Sequence, residues 1–137
     1  MLIVFDENFS KNLAAGLHLL EKSNPHSIIS VDVTSAEKLM GKRGTDDKEL
    51  YETVGKLNGV VITKDKDFKE IKLYESVIKE HRAKVLFFKP SKKLIFFWDI
   101  LKATIDKWED IKEKLENEAP PYCYEFDIRG GISPRPF

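Results

Sequence analysis

One cysteine, Cys123, in 137 residues excludes a disulfide framework and any zinc site built on several thiolates. That usage fits a reducing compartment, so a cytoplasmic location is expected. No apolar run approaches the roughly 20 residues that cross a bilayer. The opening Met-Leu-Ile-Val-Phe-Asp has no basic flank and meets a charge too soon for a signal peptide, so no membrane association is expected. Neither sign of charge is in excess: 23 basic residues face 23 acidic ones, and any contact with nucleic acid must come from local clusters. Arginine is scarce, only Arg43, Arg82, Arg129 and Arg135, which leaves a Lys- and Glu-heavy surface of the kind enriched in hyperthermophiles. His18, His26 and His81 lie in separate segments without metal-ligand spacing. Ser10 and Cys123 have no His and Asp arrangement around them, so nucleophilic catalysis has no support. Gly41-Lys42-Arg43-Gly44-Thr45 lacks the spacing of a phosphate-binding Walker loop.

What is present is an alternation of short apolar runs and amphipathic stretches. The length suffices for one core without covalent staples. Leu2-Ile3-Val4-Phe5 reads as a strand buried on both faces. Ser10 caps a helix carrying Leu13, Ala14, Leu17 and Leu20 that stops near Pro25, and His26 to Val33 suits a second strand. After the basic glycine loop 41–44, a helix opens at Thr45-Asp46-Asp47-Lys48-Glu49 with Leu50, Tyr51, Val54 and Leu57 inward, and Gly59 stops it. Val60 to Thr63 is a third strand, and a helix with Ile71, Tyr74, Val77 and Ile78 follows. Lys84 to Phe88 is a fourth strand. Lys92 to Asn117 reads as one long helix, its stripe running Leu94, Trp98, Leu101, Ile105, Trp108, Ile111, Leu115. Phe96-Phe97-Trp98 fits core or subunit contact better than base stacking, and its breadth predicts a homodimer. Past Pro120-Pro121, residues 120–137 form an extended tail whose Tyr122 to Arg129 alternates like an edge strand. Alternating strands and helices imply an α/β fold with a mostly parallel sheet of four to five strands covered on both faces, its crossovers right-handed.

Two of the apolar strands end in acid: Asp6 with Glu7 after the first, Asp65 with Asp67 after the third. In an open parallel sheet, ligands bind beyond the carboxyl ends of the strands. Asp46 and Asp47 start a helix at that same end. Carboxylates gathered there repel one another unless a cation intervenes, and all-oxygen donors suit Mg²⁺ or Mn²⁺. Such a site suits phosphodiester hydrolysis without a protein nucleophile. Lys42, Arg43, Lys64 and Lys66 are then placed to contact flanking phosphates. Plainer readings stand beside these. Asp46 with Glu49 is a capping box, Asp47 favours a helix start, and Asp67 is a cap for the helix after it. Asp6 must be either solvated at the sheet end or bound to something.

Val4-Phe5-Asp6-Glu7-Asn8, Gly44-Thr45-Asp46-Asp47-Lys48-Glu49-Leu50 and Val61-Ile62-Thr63-Lys64-Asp65-Lys66-Asp67-Phe68 together resemble the PIN-like family of prokaryotic proteins, relatives of the VapC-type toxins. The resemblance covers about residues 1 to 90. It implies a three-layer α/β/α nuclease domain over residues 1–119, Mg²⁺- or Mn²⁺-dependent endoribonuclease activity on RNA, and an antitoxin that blocks the site. Carried over by position, Asp6, Asp46, Asp65 and Asp67 would be the acidic quartet, with Glu7 and Asp47 as further metal ligands. Asn8 would position the strand end or a metal-bound water beside the substrate. The middle acid of such sequences is often Glu, and here Asp46, Asp47 and Glu49 compete for its place. Two other functions stay open: a catalytically silent PIN-like module that binds RNA or a partner protein, and a nuclease or phosphatase acting on another phosphate ester.

Overall fold

The computed structural model describes residues 1–64, 68–89, 96–127 and 131–135, without the side chains of 68–71 and 73. Strands β1 (Leu2–Phe5), β2 (Asp32–Ser35), β3 (Val60–Lys64), β4 (Lys84–Phe88), β5 (Tyr122–Asp127) and β6 (Gly131–Pro134) form one sheet in the order β2-β1-β3-β4-β5-β6. The first five are parallel, and β6 runs antiparallel to β5 as the edge. The three-layer α/β/α architecture is as the sequence implies, with six strands.

Strand periodicity of two separates the layers. Ile3, Phe5, Val60, Ile62, Leu86, Phe88, Tyr122, Tyr124 and Phe126 face helices α1 (Lys11–Lys22), α5 (Phe97–Asp106) and α6 (Trp108–Asn117). Val4, Val61, Val85, Phe87 and Cys123 face α2 (Ala36–Met40), α3 (Asp47–Lys56) and α4 (Phe68–Glu80). One expectation fails here. The β3–β4 and β4–β5 crossovers step the same way across the sheet, yet α4 lies on one face and α5 with α6 on the other. The two crossovers therefore have opposite hands. Packing explains the exception, because the stripe Ile100, Ala103, Ile111, Leu115 covers Leu86 and Tyr124 beside α1.

Three elements differ from their expected form. The second strand is Asp32–Ser35, paired Leu2 to Asp32 through Phe5 to Ser35, because Ser27 and the Ile29 carbonyl turn aside to bind Lys112. Directly after it the Ser35 hydroxyl accepts the Lys38 N–H and starts the short α2, which alternation did not reveal. The long C-terminal helix is two helices broken at Lys107, and Trp98 and Ile105 of its expected buried stripe are exposed. Its start at Lys92 and Leu94, the side chain of Ile71, and Ile128 and Arg129 lie outside the described residues.

A buried polar cluster pins α6 to α1. Lys112, fully buried, donates to both Glu21 oxygens (2.9 and 3.2 Å), to Ser27 and to the Ile29 carbonyl, and Trp108 Nε1 donates to Glu21 Oε2 at 2.8 Å. Burial pushes the Glu21 carboxyl up, but the hydrogen bonds from Trp108, Lys112 and Ser27 outweigh it and bring the pKa below the ordinary value. His18, for which no role was expected, accepts the Val33 N–H at its Nδ1 and ties α1 to β2.

Candidate active site

Chain direction across the sheet reverses between β1 and β3, with β2 on one side and β4 on the other, and a doubly wound sheet places its crevice at such a point. Asp6 follows β1 there, its N–H bonded to the Ile62 carbonyl at 3.0 Å. By strand alternation Asp6 shares the face of Val4, and Thr63 that of Val61, so both point toward α3.

Asp6 is 6 % exposed and heavily engaged. The Asn8 N–H donates to its Oδ1 at 3.0 Å, and Asn8 Nδ2 to its Oδ2 at 3.2 Å. The Thr63 hydroxyl donates to Oδ2 from the neighbouring strand. The turn Asp6-Glu7-Asn8 closes on the carboxylate, as Asp side chains do when they bond their own backbone two residues on. Donors on both oxygens fix the orientation of the carboxylate. Asn8, expected beside substrate, thus spends its amide and backbone N–H on Asp6.

Glu7 points away, exposed, and its Oε1 accepts the Gly44 N–H at 2.7 Å across 37 residues of chain. It ties down the glycine loop, where Gly41 (φ +74°) and Gly44 (φ +73°) hold left-handed conformations that a side chain would strain. Lys42 and Arg43 ride on that loop, Lys42 3.6 Å from Glu49 and Arg43 3.9 Å from Glu37.

Asp46 occupies the N-cap position of α3 but makes no side-chain cap bond, so the plainer capping-box reading is not met; its carbonyl accepts the Leu50 N–H. The side chain is exposed. Asp47, half-buried, accepts the Tyr74 hydroxyl of α4 at 2.7 Å. The Tyr51 phenol is pushed up by burial first and then by the charges of Asp47 and Asp6. Lys64 Nζ sits 5.5 Å above the Phe9 ring. Asp65, Lys66 and Asp67 lie outside the described residues. Thr63 and Tyr74, which hold the carboxylates, were not foreseen as site residues, although Thr63 stands two residues before Asp65 at the end of its strand.

A cleft of about 410 Å³ opens beside Asp6, lined by Glu7, Asn8, Ser10, Lys11, Ser35 and Arg43 among others. An oriented carboxylate thus stands at the switch point, with Lys11 and Arg43 among the residues lining the cleft beside it. The family model of the PIN-like domain matches residues 1–90, from β1 through β4. The chain belongs to the PIN-like domain family. Comparison with curated proteins and with solved structures gives no match. PIN-like domains are generally nucleases, so this chain carries a nuclease-type fold, and a nucleic-acid substrate is what that fold implies. No described helix is long and apolar enough to cross a membrane.

Proposed function

We propose that this PIN-like chain is a divalent-metal-dependent endoribonuclease of the cytoplasm, the toxin of a toxin–antitoxin pair. The observation that carries the reading is Asp6, a carboxylate at the sheet's switch point held by donors on both oxygens. Among the described residues no three His, Cys, Asp or Glu side chains form a metal-holding group. The donors present are nonetheless of the right kind, since Asp6 and Asp47 offer only oxygen, which suits Mg²⁺ or Mn²⁺. Asp65 and Asp67 complete the set in this reading, and Asp47 takes the middle place ahead of Asp46 because Tyr74 holds it.

A bound divalent cation supplies activation of the attacking water and charge relief at the phosphate. The chain's own part is orientation. Asn8 and Thr63 keep Asp6 aimed, Tyr74 does the same for Asp47, and Glu7 holds the loop that brings Lys42 and Arg43 to flanking phosphates. In this reading Lys64, at the end of β3, and Lys66 also contact the phosphate backbone.

The test is cleavage of a mixed RNA pool by purified protein with Mn²⁺ or Mg²⁺, against EDTA and Asp65→Asn. Metal-dependent cutting lost in the variant is expected. No cutting, together with no metal-induced thermal shift, overturns the reading and favours a silent module that binds a partner. Growth arrest on expression, abolished by Asp65→Asn, is expected of a toxin; unimpaired growth removes that role and its antitoxin.

A further inference from the structure

Next to the Asp6 cleft lies a second cleft of about 430 Å³ between the first turns of α1 and the short α2, and the two share Lys11, Ser35 and Glu37 as lining. Each is of the size that takes a nucleotide-scale group. Lys11 stands at the junction on the α1 wall, and Lys38, from α2, lines the far half with Lys42. The cations there differ in their state. Lys42 and Arg43 have the carboxylates of Glu49 and Glu37 within 4 Å. Lys11 and Lys38 are exposed and form no ion pair among the described residues, so one uncompensated charge faces the channel from each wall. Glu37, the acid between them, is the one countered by Arg43.

We infer that this channel is the path of the single-stranded RNA backbone on one side of the scissile bond, with Lys11 contacting the phosphate next to the cut and Lys38 one further along. The inference rests on the nuclease reading for its substrate, but not on catalysis. A strand whose phosphodiester reacts at Asp6 must continue out of the cleft, and this second cleft adjoins it across the shared Lys11, Ser35 and Glu37. Contacts of this type position the backbone without reading bases, so binding there is indifferent to sequence and strongly salt-dependent.

The experiment is fluorescence-anisotropy titration of a labelled single-stranded 12-nucleotide RNA of mixed sequence, in EDTA so that nothing is cut, over a range of salt. The proteins are wild type, Lys11→Ala/Lys38→Ala, and Lys56→Ala as a control at the opposite end of α3. Each single-strand phosphate deprived of its lysine lowers the slope of log K against log salt by about 0.7. The double variant is therefore expected to bind more weakly, with a slope smaller by about 1.4, while Lys56→Ala matches wild type. Equal affinity and slope in the double variant, with wild type cutting RNA in Mn²⁺, overturns the channel and leaves the nuclease reading standing. The expected loss of slope in a protein that cuts nothing supports the channel and overturns the nuclease reading. Competition by poly-glutamate as effective as that by RNA overturns the channel in favour of an acidic protein segment.

Discussion

Thr63 of β3 donates its hydroxyl to Oδ2 of Asp6 across the seam between β1 and β3. Fifty-seven residues separate the two in sequence, and only the parallel register, Phe5 beside Ile62, brings them level. Removing that donor from a buried carboxylate is expected to misalign it. Groups that orient metal-binding side chains typically cost about 10- to 100-fold in metal affinity or activity when lost. Thr63→Val, which keeps the strand shape, should lower cleavage by about that factor and raise the Mn²⁺ concentration needed, and Thr63→Ser should restore most of both. Titration of activity against Mn²⁺ decides it; a Thr63→Val enzyme with wild-type metal dependence removes the role.

Glu7 separates two roles in one residue. As a metal ligand it needs its charge; as the acceptor for the Gly44 N–H it needs only an oxygen. Glu7→Gln is expected to keep kcat near wild type, whereas Glu7→Ala raises KM for RNA several-fold by loosening the loop that carries Lys42 and Arg43. Loss of kcat in Glu7→Gln equal to that in Asp65→Asn would make Glu7 a ligand instead.

The short apolar runs showed the strands, and Asp6 was legible as the first polar residue after the buried Ile3, Val4 and Phe5. Distant closures were not legible. The Glu7–Gly44 bond spans 37 residues with no pattern in either segment. Lys112 reads from sequence as a surface lysine between acids and does pair with Glu109 of its own helix, yet it is fully buried, because Glu21, Ser27 and Ile29 also bind it from elements that only folding brings near. The same cluster explains why the expected strand 26–33 is displaced. The break at Lys107 carries no Pro or Gly to announce it, and Trp108 beyond it is drawn inward to Glu21.

Asp46 and Asp47 are adjacent in sequence and unlike in structure, one exposed without a cap bond and the other bonded to Tyr74. Asp46→Asn is expected to leave cleavage within about twofold, since surface substitutions away from such contacts change little. Asp47→Asn should abolish it, and Tyr74→Phe should lie between, with Mn²⁺ dependence shifted upward. Side-by-side activity and thermal-shift titration with Mn²⁺ measures all three. An inactive Asp46→Asn beside an active Asp47→Asn reverses the assignment.

Trp98 is 74 % exposed and Phe96, just before α5, 65 %, and Trp98, Leu101 and Ile105 line one apolar strip on α5. A homodimer through this strip is the expected use. Wild type should have a dimer mass by light scattering at micromolar concentration, and Trp98→Ser/Ile105→Ser a monomer mass with unchanged thermal stability. A monomeric wild type removes the homodimer and leaves the strip to another partner.

The Glu21–Lys112 pair gives the protein an acid limit. In the folded state the Glu21 pKa lies below its ordinary value of 4.5, because hydrogen bonds from Trp108, Lys112 and Ser27 outweigh the cost of burial. A group whose pKa falls on folding adds stability above its unfolded pKa, and that stability is lost as pH drops through the folded value. The wild-type urea midpoint should therefore fall as pH is lowered from about 5 toward 3. In Glu21→Gln/Lys112→Met, which keeps the volume and removes both charges, this pair's share of the fall should vanish. At pH 7 the double variant need not be less stable, since apolar replacement of a buried pair is often neutral or better. Lys112→Met alone leaves Glu21 charged without its cation and should cost about 3–5 kcal/mol at pH 7, with part of the loss recovered at low pH, where Glu21 takes up a proton. Parallel pH curves for wild type and the double variant would show that Glu21 titrates alike in the folded and unfolded chain, and the pair would then have no part in acid unfolding.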